Sequence, residues 1–300
     1  MRAPERTLQR LDWTVIRRLD GLLQGDYRTL FRGHGIDLAN IREYQAEDDV
    51  RYIDWNVTAR MDAPYVREYL EDREITAHFL LDLSPSVDFG TAETLKRTQL
   101  IDFVGVLARL LTRHGNRVGA IVYSRRVERI IPAAGGRIQV LRILDELLRR
   151  PRLERAPYTS LGELLEAGFR AIRRRSLVFV VSDFFTTPGW ERALGLLAQR
   201  HEVLAVRLSD PRESLLPDIG WVVMTDAETG EQVHLDTGDP GFRARFAAVA
   251  LRREADLRAT FRRAGVEVLS LSTEEDLVTA IVRFAVARKR RRSARARVAS

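Results

Sequence analysis

Two hydrophobic patterns alternate along most of the chain. Short, fully apolar runs have the character of buried strands, and between them apolar residues recur every third or fourth position, as on one face of a helix. Ile75–Leu83, Arg117–Tyr123, Leu177–Val181, Val203–Leu208 and Val266–Leu269 predict strands. Val127–Ile131 predicts a shorter one after the tight turn Ser124-Arg125-Arg126. Helices are predicted over Leu11–Leu23, Thr91–His114, Gly136–Arg149, Leu161–Arg173, Trp190–Gln199 and Phe242–Arg263. A last helix, Thr273–Ala287, opens on a Thr-x-x-Asp capping box. Trp221–Met224 and Gln232–Leu235 flank Glu228-Thr229-Gly230 and predict a hairpin. Repeated strand–helix units with continuously apolar strands predict an α/β fold, a doubly wound, mainly parallel sheet flanked by helices with one antiparallel edge strand.

One stretch breaks the alternation. Arg32–Glu74 is dense in charged and aromatic residues and keeps neither period for long. It is too rich in Trp, Tyr and Ile for a disordered linker, so it predicts an ordered, irregular extension. Arg42, Asp48, Asp49, Arg51, Asp54, Arg60 and Arg67 would tie it together by cross-pairing, or present a partner surface instead. The expected organisation is therefore 1–73, an N-terminal helix and charged extension packed on the main domain, then 74–287, the α/β domain, and 288–300, a basic disordered tail.

Composition changes this picture in one respect. The apolar and charged fractions, 45% and 30%, are ordinary for a globular protein. There is no cysteine, which removes disulfides, thiolate catalysis and zinc–thiolate sites. No signal peptide or membrane span is apparent, so a cytoplasmic protein is expected. The formal charge is +7, and Arg288–Arg297 contains seven basic residues and no acid, which accounts for all of it. Nucleic acid would be reached only through that segment.

The candidate chemistry lies where the first strand ends. Phe79-Leu80-Leu81 runs into Asp82-Leu83-Ser84-Pro85-Ser86, an Asp-x-Ser-x-Ser loop at the carboxyl end of a strand, where open α/β sheets bind ligands. A second buried strand ends in Ser182-Asp183, which would face the same crevice. Thr159 precedes a helix, either as its cap or as a further oxygen donor. Asp82, Ser84, Ser86, Thr159 and Asp183 would form an oxygen site for Mg²⁺, with Mn²⁺ or Ca²⁺ as other hard cations of the same chemistry. The bland alternative is a turn whose Asp and Ser residues cap the next helix. Nucleotide-binding loops are absent. The chain has two lysines, Lys96 and Lys289, and neither completes a phosphate-binding loop. The five histidines lack metal-ligand spacing, and no general base stands out for a hydrolase built on the same carboxylates.

At these residues the chain resembles the von Willebrand factor A-type fold with its metal-ion-dependent adhesion site, on DLSPS at Asp82–Ser86, Thr159 before a helix, and VSDFF around Asp183. REYQAEDDVRYIDWNVTAR and PYVREYLEDRE, within Arg32–Glu74, are similar to the signature region of the bacterial domain of unknown function 58 family. Two points depart from the pattern. Thr159 lacks its usual Gly-Thr-Asn/Asp-Leu context, and no Gly follows Asp183. The resemblance implies a non-enzymatic, metal-dependent protein-interaction module. A partner's Asp or Glu would complete the metal's coordination, and a MoxR-type AAA+ ATPase is the implied partner. A metal-dependent hydrolase and a nucleic-acid-associated protein acting through Arg288–Arg297 are the alternatives.

Overall fold

The computed structural model describes residues 3–23, 40–45, 50, 53, 55–61, 63–68, 75–92, 94–153, 159–226 and 228–299. Contacts divide the chain into two units, Met1–Leu30 with Ile75–Ser300, and Phe31–Glu74. The chain opens with α1 (Ala3–Leu11) and α2 (Arg17–Leu23), joined by a π-helical turn at Asp12–Ile16. This helical region begins earlier than the apolar periodicity predicts, because Pro4 and Glu5 favour a helix start. Leu11 packs on Gly105, where an added Cβ would lie 2.7 Å from its Cδ1.

The smaller unit contains β1 (Asn40–Glu43), the single helical turn α3 (Trp55–Thr58) and β2 (Tyr65–Glu68). β1 and β2 pair antiparallel, with Asn40 opposite Glu68. The Tyr44 amide donates to the Pro64 carbonyl at 2.8 Å, and the Tyr65 amide to Thr58 Oγ1 at 2.9 Å. Of the residues expected to cross-pair, Asp48, Asp49, Arg51 and Asp54 lie outside the described residues, and Arg42 and Arg67 are described through their backbone pairing in β1 and β2. Arg60 is described and exposed.

The larger unit continues with β3 (Thr76–Asp82), α4 (Lys96–Arg113), β4 (Arg117–Tyr123), β5 (Val127–Ala134) and α5 (Gly136–Arg149). Then come α6 (Leu161–Ala171), β6 (Leu177–Ser182), α7 (Trp190–Arg200) and β7 (Glu202–Ser209). A hairpin of β8 (Trp221–Thr225) and β9 (Gln232–Asp236) leads into α8 (Pro240–Ala264), β10 (Glu267–Ser272) and α9 (Leu277–Ala299). Six strands form one sheet in the order β10-β7-β6-β3-β4-β5. All neighbours are parallel except β4 and β5. The fold is thus the expected doubly wound α/β sheet with one antiparallel edge strand. From β3 the chain first builds outward through β4, then returns to lay β6 on the other side. Such a reversal opens a crevice at the carboxyl ends of β3 and β6, the place where ligands bind in this class of sheet.

Both faces of the sheet are covered. On one, Leu80 meets α6 so closely that a Cβ on Gly168 would sit 2.6 Å from its Cδ2. Leu164, Trp190, Leu194 and Phe261 extend that core along α6, α7 and α8. On the other face, Phe79 stacks on Phe179 at 5.0 Å, with Phe103 of α4 edge-on to Phe179 at 6.0 Å. Among the described residues, no helix is long and apolar enough to cross a membrane.

Three local expectations differ from the structure. Helix α4 starts at Lys96 rather than Thr91, because the Thr91 amide and hydroxyl both donate to Asp210, each at 2.7 Å. The Thr273 capping box does not form, because the Thr273 hydroxyl also donates to Asp210, at 2.6 Å; α9 starts at Leu277. One carboxylate after β7 thus overrides two helix-start signals. Burial alone would raise the Asp210 carboxyl, yet the hydrogen bonds from Thr273, Thr91 and Arg212 hold it below the ordinary range. Finally, no disordered tail begins at residue 288. Helix α9 runs on to Ala299, and Arg288 is 6% exposed, ion-paired with Glu202 and, at 2.7 Å, with Glu267.

His78 gives a pH-dependent prediction. Burial, and then the charge of His201, lower its pKa from 6.5 to about 4. The unfolded chain therefore binds this proton more tightly than the folded one. The stability that His78 contributes is complete above pH 6.5 and is lost as pH falls toward 4. Urea midpoints of wild type should decline over that window more steeply than those of His78→Leu. Parallel curves for the two proteins would refute the assignment.

Candidate metal site at the carboxyl ends of β3 and β6

Asp82 is the last residue of β3, and the two flanking strands place its surroundings. It pairs in register with Tyr123 of β4, and the Leu83 amide donates to the Tyr123 carbonyl at 2.8 Å. Its carboxylate is fully buried. Oδ1 accepts from the Ser84 amide at 2.9 Å, and Oδ2 from the Ser182 hydroxyl at 2.7 Å. Ser84 and Ser86 place their hydroxyl oxygens 3.1 Å apart. Pro85 opens a short 3₁₀ turn, Pro85–Asp88, which carries Ser86 back toward Ser84. The three oxygen-bearing residues of this loop are therefore brought together.

Asp183 follows β6 and is fully buried as well. The next residue, Phe184, holds a positive φ of 57°, the conformation for which a glycine would be suited. For a residue with a Cβ this costs about 1–2 kcal/mol, offset by three ties. The Phe184 amide donates to Ser182 Oγ at 2.9 Å, the Phe185 amide to Asp183 Oδ1 at 3.0 Å, and Arg253 to the Phe184 carbonyl at 3.1 Å. Arg253 also lies 3.2 Å from the centroid of the Phe185 ring. The missing glycine after Asp183 is thus replaced by a strained and well-braced phenylalanine.

Two buried carboxylates at one sheet end raise an electrostatic question. For Asp82, burial and then the charge of Asp183 push the carboxyl up to about 6, against the hydrogen bonds from Ser182 and Ser84. No cationic side chain pairs with it among the described residues. Asp183 does have one. Lys96, in the first turn of α4 and 1% exposed, donates to Asp183 Oδ2 at 2.7 Å and also to Glu213. Burial works against its charge, but Asp183 and Glu213 outweigh it and hold the Lys96 pKa above its ordinary value. Glu213 is fixed in turn by accepting from the Asp210 amide at 3.0 Å.

Thr159 stands apart from the other four. It is 1% exposed and joined to the loop of β3 indirectly, through the Ser160 amide, which donates to the Tyr123 hydroxyl at 3.0 Å. Its own hydroxyl and amide both donate to Glu228, at 2.5 and 3.0 Å. No helix cap is formed by Ser160 at the start of α6; the Leu161 amide goes instead to Thr186 Oγ1 at 2.9 Å.

Among the described residues, no three His, Cys, Asp or Glu side chains are placed to hold a metal together. A cation here would be held by a carboxylate, hydroxyl oxygens and water, all of them the oxygen donors that hard cations take. The Asp82-Ser84-Ser86 loop fits that role, since it holds a buried carboxylate without a cationic partner among the described residues, beside two hydroxyls that hydrogen-bond each other. Asp183 and Thr159 fit as indirect contributors, because Lys96 and Glu228 already engage them.

Sequence reasoning did not find Lys96, Glu213 or Glu228. Lys96 had a signal, as one of two lysines among 49 basic residues. In a chain that uses arginine almost throughout, a lone lysine at a helix start marks a place needing a compact charge. Glu213 and Glu228 sit on loops distant in sequence, and no local pattern announces either.

The strand order, the antiparallel edge and the oxygen-bearing loop at the switch point define a doubly wound, mainly parallel α/β domain with a ligand crevice at the strand ends. Residues 40–256 match the protein family of unknown function DUF58, and the chain belongs to that family. An uncharacterized protein of Mycobacterium tuberculosis is 38% identical over 283 residues, spanning 94% of this chain and 89% of the relative. One of Mycobacterium avium is 39% identical over 160 residues, 53% of this chain and 94% of the relative. Among solved structures, BatB from Bacteroides thetaiotaomicron matches 72% of this chain and 99% of its own at 15% identity, with a TM-score of 0.46. The SpRpn10 VWA domain matches 70% of this chain and 93% of its own at 11% identity, with a TM-score of 0.40.

Replacing Lys96 by Met leaves Asp183 and Glu213 without their shared counter-ion. Removing one partner of a buried ion pair costs about 3–5 kcal/mol. Equilibrium urea unfolding at pH 7 should register a loss of that size. A loss below about 1 kcal/mol, the level of an exposed pair, would show that the ammonium is not buried between the two carboxylates.

Proposed function

We propose that this protein is a non-enzymatic, metal-dependent protein-binding module. Asp82, Ser84 and Ser86 hold Mg²⁺, with Thr159 and Asp183 supporting it indirectly, and an Asp or Glu of the partner completes the site. The observation that carries this reading is the fully buried Asp82 carboxylate, beside a second buried carboxylate and two clustered hydroxyls, without a counter-charge of its own. A divalent cation supplies that counter-charge and, when bound, offers a point of attachment for a carboxylate. The chain's own residues do the rest. Ser182 and the Ser84 amide orient the Asp82 oxygens, the 3₁₀ turn presents Ser86, and Lys96 keeps Asp183 in place. The partner class we propose is a MoxR-type AAA+ ATPase, which is what the resemblance of the Arg32–Glu74 signature region implies.

The test has two arms. Mn²⁺ should raise the thermal midpoint of wild type in a concentration-dependent manner and leave Asp82→Ala unmoved. Tagged wild type incubated with lysate of its native cell should capture an AAA+ ATPase with Mg²⁺ present, and capture should fall at least tenfold with EDTA or in Asp82→Ala. Equal capture in all four combinations of protein and chelator would end the metal-dependent reading.

A further inference from the structure

The β8–β9 hairpin has little core of its own. Trp221 is 77% exposed, and Val223, Met224 and Val233 also face solvent. Its base is pinned by Thr237, whose hydroxyl donates to the Gly220 carbonyl at 2.7 Å and accepts from the Ile219 amide at 3.2 Å. Its tip, by contrast, is carefully organised. Asp226 Oδ1 accepts from the Glu228 amide at 2.9 Å, the Thr229 amide at 2.7 Å and the Thr229 hydroxyl at 3.0 Å. The Asp226 amide donates to the Glu231 carbonyl at 2.8 Å, and Gly230 takes the positive φ of 74° that closes the turn. The turn presents Glu228, and both of its carboxylate oxygens meet the amide and hydroxyl of Thr159.

The destination of that carboxylate matters. Thr159 is buried and lies 69 residues away in sequence. An exposed hairpin with an ordered tip gains little stability from one such contact. The tip nevertheless brings an acidic side chain to the candidate site from the outside, which is the chemistry expected of a bound partner. Asp183 and Glu213 share Lys96, with Arg253 close by. Neither Asp82 nor Glu228 forms an ion pair among the described residues. Tyr123 links the two: it pairs in register with Asp82, and its hydroxyl accepts from the Ser160 amide, next to the Thr159 that Glu228 holds.

We propose that Glu228 is the chain's own ligand for this site, holding the position that an acidic residue of a partner takes on binding. The inference rests on the metal-dependent reading above. The hairpin is then an internal competitor. A partner must displace Glu228 from Thr159, and the exposed apolar strands of the hairpin are the part of the chain that moves.

Free Mn²⁺ measured by electron paramagnetic resonance during titration of the full chain tests this directly. Wild type should bind Mn²⁺ about tenfold more tightly than Glu228→Gln, the effect of losing a supporting ligand. Millimolar acetate, a free carboxylate, should restore much of the affinity in Glu228→Gln and leave wild type unchanged, because its position is already filled. Asp226→Ala, which keeps the carboxylate but loosens the turn, should fall between the two. Each variant is checked by its urea midpoint, which should lie close to that of wild type. If Mn²⁺ binds wild type and Glu228→Gln equally, with acetate inert in both, the self-ligand is refuted while the metal site stands. If Mn²⁺ fails to bind wild type at all, the metal site and the self-ligand fall together.

Discussion

Buried negative charge at the carboxyl ends of β3 and β6 is the constraint around which the larger unit is built. Placing Asp82 and Asp183 at the ends of adjacent parallel strands forces two carboxylates into a poorly solvated space. The fold answers with dipoles and with one cation. Ser182 and the Ser84 amide serve Asp82, the Phe185 amide serves Asp183, and Lys96 enters from the first turn of α4. Lys96 in turn requires Glu213, Glu213 requires the turn after β7, and that turn requires Asp210. A chain of polar contacts therefore runs from the centre of the sheet to its edge. A buried network of this kind is unfavourable when incomplete, and among the described residues Asp82 and Asp210 are held in it by hydrogen bonds without a cationic partner.

The architecture was legible because its signals are periodic and local. Five-residue apolar runs such as Leu177–Val181 leave no room for a helix, and alternation of such runs with helical stretches has few solutions other than a parallel sheet with crossovers. Element edges were less legible where a tertiary contact defeats a local signal. Thr91 and Thr273 both look like helix starts, and both are drawn away by Asp210. The basic run after residue 288 looked solvated by charge alone. What stabilises its beginning is a pair of acids on β7 and β10 that only folding brings to Arg288.

The site was legible in part, for the same reason. Asp82, Ser84 and Ser86 lie within one loop, and the end of β6 presents Asp183, so strand prediction alone suffices to bring them near each other. Thr159 was visible as a residue before a helix, but its partner was not. Glu228 and Glu213 come from connections whose sequences say only that they turn. No spacing rule links a glutamate in a hairpin tip to a threonine so far upstream. The glycine absent after Asp183 is a departure visible in the sequence, and the left-handed Phe184 gives it a physical meaning.

Asp210 has one more consequence. The same carboxylate holds Thr91, at the end of the oxygen-bearing loop of β3, and Thr273, at the foot of α9. These two segments are thus geared together through a single side chain. Helix α9 also meets the start of the chain, where Arg18 of α2 reaches Asp276. A displacement of the β3 loop cannot remain local without breaking hydrogen bonds. Through Asp210, Thr273 and the neighbouring Asp276, polar contacts thus reach from a loop at the middle of the sheet to α2.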